Sequence, residues 1–530
     1  MTDVLIVGAG PVGLAAAIEL GMRDISVLLV EQNARGGLAP RAKTTNVRTR
    51  THLRRWGIAG RLAEESPFGI DYPNNMVFLT RLGEGGHELA RFADAFNAAP
   101  VRSDLYPEHG QFIPQYKLEK VLLEKARSLP SVEIRFGALF VDAEQDGNGV
   151  RSIVEFDGER TMIESQFLFG ADGARSRVRD VIGARMEGRH GIARAYNIIF
   201  RAPGLADAHP RGPAAMYWQV STHGVSAIGP MDRDDIWFFM PGVPQDVTLT
   251  EEEAKAMIRQ CTGIDLPYEI LSADAWFANE LLADRYSDRR IILGGDACHL
   301  HPPFGGYGMN MGISDGVDVG WKLAAMLQGW GGPALIDSYE AERRAVHRAV
   351  IDETIGILSA AAAPLPPELD DDTPAGEAAR ERQGAVIQAT RGREFYTLGT
   401  VLGLGYEASP IILREDASAP IHRPEHYEPT ARPGYLLPHA WLADGRSLYD
   451  CLGQGFSLLI GGQADPGDVS QAEEDARALA IPLAVIRPEG IDAARLFGAQ
   501  MVLVRPDQHV AWRGDRWRNA FPIVTAQPGF

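Results

Sequence analysis

Apolar and polar positions switch between two periods along this chain, and the switch points outline its elements. Residues 4–7 form an uninterrupted aliphatic run, the pattern of a strand buried on both faces, and lead straight into Gly8-Ala9-Gly10-Pro11-Val12-Gly13. Leu14, Ala15, Ala16, Ala17, Ile18 and Leu20 continue as a helix, and "ISVLLVE" gives a second strand that ends on Glu31. The strand-to-helix pattern returns twice. "FLFGADGARSRVRDVIG" predicts a strand over 167–169 with Asp172 and Gly173 in the turn, and "RRIILGGDACHLHPPFGGYGMNMGISDGVDVGWKLAAML" predicts a strand over 291–293 and a helix from near Asn310 to Leu327.

Between these, "QFIPQYKLEKVLLEKA" reads as an extended piece followed by a helix with Leu118, Val121, Leu122 and Ala126 on one face and Gln115 at its start. Residues 188–285 alternate in strand fashion ("AYNIIFRAP", "AAMYWQVS", "GVSAIGP", "DIWFFMPG") and predict a β-rich insertion carrying Tyr217, Trp218, His223 and Trp237. The acidic, proline-rich "APLPPELDDDTPAGEAARERQG" reads as a long loop before the last unit.

The first glycine turn has the GxGxxG spacing: one glycine for the tight turn, one for close approach of a pyrophosphate, one for packing the helix on the sheet. Glu31 stands where a carboxylate accepts from a ribose 2′-hydroxyl, so a dinucleotide site is expected, and a 2′-phosphate would be repelled there. FAD and NAD remain open at this point.

Composition narrows the classes. The chain has 530 residues, with 52 Lys+Arg against 70 Asp+Glu and a formal charge of -18, which disfavours nucleic acid and anionic membrane as partners. Its three cysteines, Cys261, Cys298 and Cys451, form no CxxC, so a reducing cytoplasm is expected. No transmembrane span and no signal peptide are predicted, since the apolar start lacks a positive leader and is broken by Asp3, Pro11 and Glu19.

Residues 294–316 hold Cys298, His299 and His301, all plausible transition-metal ligands by type. On a strand exit their side chains alternate and no further ligand is seen to converge, so no metal is predicted. Arg41 is the candidate anion contact of the segment "PRAKTTNVRTRTHLRRWGI", while Arg54 and Arg55 read as a solvated helix face.

Together the three motifs, GAGPVG with Glu31, ADG at 171–173 and GGDACH…PPFGGYGMN at 294–310, resemble the single-component FAD monooxygenases that hydroxylate aromatic compounds. The resemblance implies an α/β fold: a Rossmann-like FAD-binding domain (1–187 and 286–400), an inserted β-sheet substrate domain (188–285) and a thioredoxin-like C-terminal domain (401–530) without CxxC, structural or dimer-forming. It implies FAD contacts at Gly8, Gly10, Pro11, Gly13, Glu31, Gln32, Arg41 and Gln115. Asp172 would serve both FAD and the passing nicotinamide, Asp296 the ribityl chain, and Pro303, Gly306, Gly308, Met309 and Asn310 the isoalloxazine. Three residues depart from the family pattern: Cys298 after GDA, Ala345 in "YEAERRAV" and Arg50 in "RTRTHL".

The activity so implied uses NADPH or NADH and O2 to hydroxylate a phenolic or polycyclic ring through a flavin C4a-hydroperoxide. Such a reaction needs a base or hydrogen-bond relay near the phenol oxygen, for which Tyr217, His223 and His301 are the candidates. A flavin-binding reductase or non-hydroxylating partner is the alternative reading. A halogenase is disfavoured by the absence of a WxWxIP segment.

Overall fold

The computed structural model describes residues 2–34, 42–416 and 418–527. Its first sheet places the strands Ile291–Leu293, Glu159–Gly170, Thr2–Val7, Val27–Glu31 and Val132–Phe136 side by side and parallel. The register aligns Val7 with Gly170 and Val30, and Gly170 with Leu293, so all three glycine turns leave the same carboxyl edge of the sheet. Strand order reverses direction on either side of Thr2–Val7, and a crevice at such a switch point is where open α/β sheets bind ligands.

Two helices cover this edge. Pro11–Gly21 packs on Tyr307–Leu327 through Gly312, Gly316 and Gly320. A Cβ on Gly316 would lie 2.5 Å from the Val12 carbonyl oxygen and one on Gly320 2.4 Å from Glu19 Cβ. Spacing of four keeps these glycines on one helix face, where they let the two backbones approach closely.

The second sheet has eight strands, in the order His299–Leu300, Glu269–Ala283, Met186–Arg201, Ile236–Val243, Gly224–Asp232, Met216–Ser221, Met76–Leu79 and Glu88–Phe92. It therefore recruits two strands from residues 76–92, outside the 188–285 insertion that periodicity outlines. One face packs Tyr217, Trp237 and Phe239 beneath the helix Glu251–Thr262, whereas the other carries Phe78, Phe238, Trp218 and Met240.

The acidic link corrects the sequence expectation: its second half is the start of a helix, Pro374–Phe395. Thr373 caps it by accepting from the Gly376 N–H and Pro374 opens it, after which Ala, Glu and Arg residues sustain it. The C-terminal sheet is ordered Leu483–Ile486, Phe456–Ile460, Met501–Val504, Val510–Gly514, with only the first pair parallel and Pro466–Ala478 as the crossover helix. This is the arrangement expected of a thioredoxin-like unit.

Candidate functional site

At the first turn the three glycines do different things. Gly8 has φ +105°, and a Cβ there would sit 2.3 Å from the Ala171 carbonyl oxygen of the second turn. A Cβ on Gly13 would lie 2.0 Å from the Gly8 carbonyl oxygen. Gly10, just before Pro11 at the helix start, is different: a Cβ there meets nothing within 4 Å, so its open side admits a close ligand next to unpaired helix N–H groups. Glu31 Oε2 accepts the Ala9 N–H at 2.9 Å, and Oε1 accepts the Asn33 N–H at 2.9 Å, which fixes the carboxylate beside the turn. Gln32 is exposed beside it, and Arg41 lies outside the described residues.

The third turn is locked to the first. A Cβ on Gly295 or on Gly312 would lie 2.6 Å from Val12 Cγ2. Asp296 sits half-buried in the short turn Gly295–Ala297. Pro303 is exposed and leads the turn Phe304–Gly306, where Gly306 (φ +61°) starts the helix, followed by half-buried Gly308 and Met309. Asn310 holds the assembly together: its Nδ2 donates to the carbonyls of Thr44 (2.9 Å) and Gly306 (2.7 Å), and its Oδ1 accepts the Asn46 N–H at 3.0 Å. Gln115 does the same for the preceding residues, its Oε1 accepting the Ala42 N–H at 3.2 Å. A polar cavity opens beside Asn310, lined also by Asn46, Arg48, Tyr307, Arg343 and Asp507.

Asp172 is committed to its own helix. It accepts from Ser176 Oγ and from the N–H groups of Arg177 (2.7 Å) and Val178 (3.0 Å), while burial pushes its carboxyl above the usual range. His301 is left with an open lone pair. Its Nδ1 lies 2.7 Å from the Pro302 carbonyl oxygen, which assigns the proton to Nδ1, and its buried Nε2 has no hydrogen-bond partner among the described residues. A Cβ on Gly308 would lie 3.7 Å from that Nε2, so the lone pair faces the helix start. Burial lowers His301 to about 4, leaving it neutral.

The convergence of ligands at Cys298 corrects the sequence expectation. Cys298 and His299 meet Asp315 and His347, all four buried, with one potential ligand atom from each within 4.8 Å of the others. Asp315 and His347 lie on the two following helices and could not be paired with the motif by spacing. The carboxylate is already filled: Oδ2 accepts from Gly295 N (2.9 Å) and faces His299 Nε2 (3.0 Å), and Oδ1 accepts from Arg343 Nε (2.7 Å) and faces His347 Nε2 (3.1 Å). Burial opposes the Asp315 charge, but His347 and Arg343 outweigh it and hold the carboxyl well below its ordinary range. Burial also pushes the Cys298 thiol far up. These hydrogen bonds make the cluster the floor of the third turn.

The family model described as "FAD binding domain" matches residues 1–354, and "Aromatic-ring hydroxylase, C-terminal" matches residues 430–526. The chain belongs to the FAD-dependent aromatic-ring hydroxylases. The 2,4-dichlorophenol 6-monooxygenase of Delftia acidovorans is 31% identical, over 98% of this chain and 96% of that protein. Aklavinone 12-hydroxylase DnrF of Streptomyces peucetius is 32% identical, over 88% and 93%. Among solved structures, the flavin-dependent monooxygenase PieE in complex with FAD and substrate superposes with a TM-score of 0.89 at 30% identity, covering 99% of each chain. This hydroxylase is thus an FAD-dependent aromatic monooxygenase, and the open side of Gly10, beside Glu31 and a helix start, fits the ADP half of FAD.

Two of the candidate bases of this hydroxylase lie away from the sheet face that carries Trp218 and Met240. Tyr217 is 1% exposed on the sheet face under Glu251–Thr262, where its hydroxyl donates to the Gly212 carbonyl and burial pushes the phenol up. Strand alternation turns it away from the face that carries Trp218 and Met240. His223 is exposed at the hairpin tip between Met216–Ser221 and Gly224–Asp232. The basic helix Val47–Arg55 is corrected too: Arg55 pairs with buried Glu19, and Arg54 pairs with Glu108 and Asp450. Among the described residues, no helix is long and apolar enough to cross a membrane.

Proposed function

We propose that this enzyme uses NAD(P)H and O2 to insert one oxygen atom into a phenolic or polycyclic aromatic ring, the second oxygen leaving as water. The observation that carries this reading is the meeting of three glycine turns at one sheet edge beside a sheet face with an aromatic row, Trp218 and Phe78. Bound FAD would supply the transfer of electrons to O2 and of oxygen to the ring. The chain's residues would bind and orient it: Gly8 and Gly13 shape the turn, Gly10 would leave room for the pyrophosphate, and Glu31 would accept from the ribose. Asp296, Pro303 and the segment from Gly306 to Asn310 would hold the ribityl and ring portions, with helix N–H groups facing an oxygen that gains negative charge. His301 Nε2 is an acceptor for an N–H or O–H group brought to this turn.

Purified yellow protein incubated with NADPH or NADH and a panel of phenols tests the reading. Substrate-stimulated nicotinamide oxidation together with a product one oxygen heavier by mass spectrometry is expected. Oxidation without such a product overturns hydroxylation in favour of a reductase.

A further inference from the structure

Lys43 is 8% exposed, and no described carboxylate lies within ion-pair distance of it. The stretch 35–41 before it, Arg-Gly-Gly-Leu-Ala-Pro-Arg, carries no acid either. Its ammonium instead lies 4.2 Å from the centroid of the Phe238 ring and 3.8 Å from Met240 Sδ, on the inner face of the large sheet. A buried ammonium without an anion is costly and is kept where something else completes it.

The surroundings indicate what that is. Register places Met240 opposite Ala227 and Ala227 opposite Trp218, so a small residue separates two large ones on a single face. Met240, Trp218 and nearby Phe304 are only partly buried. Trp218 Nε1 is a buried donor with no hydrogen-bond partner among the described residues, and the Arg391 guanidinium stands 4.8 Å from the Trp218 ring and 5.6 Å from the Phe304 ring. The wall therefore offers aromatic surface together with a Lys43 ammonium that meets a thioether but no described carboxylate, and a Trp218 N–H without an acceptor among the described residues. It also adjoins the cofactor turn, since Thr44, the next residue, gives its carbonyl to Asn310.

We propose that Lys43 is the substrate's anion anchor: this hydroxylase takes aromatic compounds bearing an acidic oxygen, a phenolate or an aryl carboxylate, seated on the row Met240–Ala227–Trp218 with that oxygen on the Lys43 ammonium. This inference rests on the monooxygenase reading above. No bond is made or broken by Lys43; it acts by holding the oxyanion, which also favours the electron-rich phenolate when the acidic oxygen is a phenol.

The test is equilibrium dialysis of the FAD-loaded protein against 4-nitrophenol, 4-nitrobenzoate and neutral nitrobenzene near neutral pH. At least one anion is expected to bind about tenfold or more tighter than nitrobenzene, the size of a charge-assisted hydrogen bond. Tight 4-nitrophenol alone identifies a phenolate site, and tight 4-nitrobenzoate a carboxylate one. Lys43→Met should abolish the preference and Lys43→Arg restore much of it. Because burial, with no charged neighbour contributing, lowers Lys43 to about 8, the wild-type preference should also fade as pH rises through and above about 8, a readout that needs no variant. Equal binding of nitrobenzene by the wild type, or a preference that survives in Lys43→Met, overturns the anchor. Loss of FAD in Lys43→Met with the preference intact also overturns it and makes Lys43 a cofactor contact. Flavin absorbance and product formation, measured on the same samples, separate failure of the anchor from failure of the monooxygenase reading.

Discussion

Glu342 and Arg505, 163 positions apart in sequence, form a two-pronged ion pair with neither side chain exposed to solvent. Arg505 belongs to the C-terminal unit, and Glu342 lies on the helix Asp337–Ala361, which follows the third glycine turn and its helix. The pair extends into a network: Arg505 also meets Asp318 and Asp507, and Lys322 bridges Asp318 (2.8 Å) and Glu342 (2.7 Å). Burial raises Glu342, but Arg505 and Lys322 outweigh it and hold the carboxyl low. Lys322 and Asp318 sit on the helix that starts at the third glycine turn, so the C-terminal unit braces that helix directly.

Removing Arg505 leaves buried carboxylates without their main cation. Arg505→Ala is therefore expected to destabilise the protein by about 3–5 kcal/mol, read as a lower midpoint in chemical denaturation and easier loss of FAD on dilution. A midpoint equal to that of the wild type would show that the network carries no net weight.

The first turn separates packing from binding. In Gly13→Ala the new Cβ would collide with the Gly8 carbonyl, so both stability and FAD content should fall. Gly10→Val projects into open space, so the thermal midpoint of the apoprotein should stay near the wild-type value while FAD affinity drops about tenfold or more. The ratio of flavin to protein absorbance after gel filtration checks both.

How much of this is legible in the sequence depends on how local each cause is. Gly8, Gly10, Gly13 and Glu31 are readable because strand, turn and helix follow one another within a single unit. The face taken by Tyr217 is not, since a period of two separates Tyr217 from Trp218 without saying which packs under the helix Glu251–Thr262. Asp315 and His347 escape because their meeting with Cys298 depends on how two helices dock. Lys43 escapes for a different reason: a lysine in a polar loop reads as solvated, and the strand carrying Phe238 and Met240, distant in sequence, packs against its ammonium.

Tyr217 and His223 supply negative controls. Tyr217→Phe loses one buried hydrogen bond, to the Gly212 carbonyl, and should cost about 1 kcal/mol of stability with turnover unchanged. His223→Ala should change neither. A large fall in kcat in either variant would return it to the catalytic candidates.

His301 should behave differently. Its Nε2 lone pair at the helix start predicts that His301→Ala lowers product formation per NAD(P)H consumed, with roughly tenfold loss in kcat, while FAD content is kept. Since His301 titrates at about 4, it should add no inflection to the rate profile between about pH 5 and 8. Turnover equal to that of the wild type would make it a packing residue.

Lys43 also makes a prediction for stability that is independent of any substrate. Its folded value of about 8 lies below the ordinary lysine value of 10.5, so between these pH values the unfolded chain holds the proton more tightly than the folded one. Stability from this group therefore rises as pH climbs from about 8 to 10.5, and below 8 the buried ammonium is a constant cost. Lys43→Met removes that cost while filling the same volume, so the variant should be more stable than wild type by roughly 1–3 kcal/mol near neutral pH, with the gap closing as pH rises. Denaturation midpoints of both proteins along a pH series measure it. A variant that is less stable than wild type at neutral pH would mean that the ammonium is already compensated in the ligand-free protein, and the argument for an anion completing it would lose its basis.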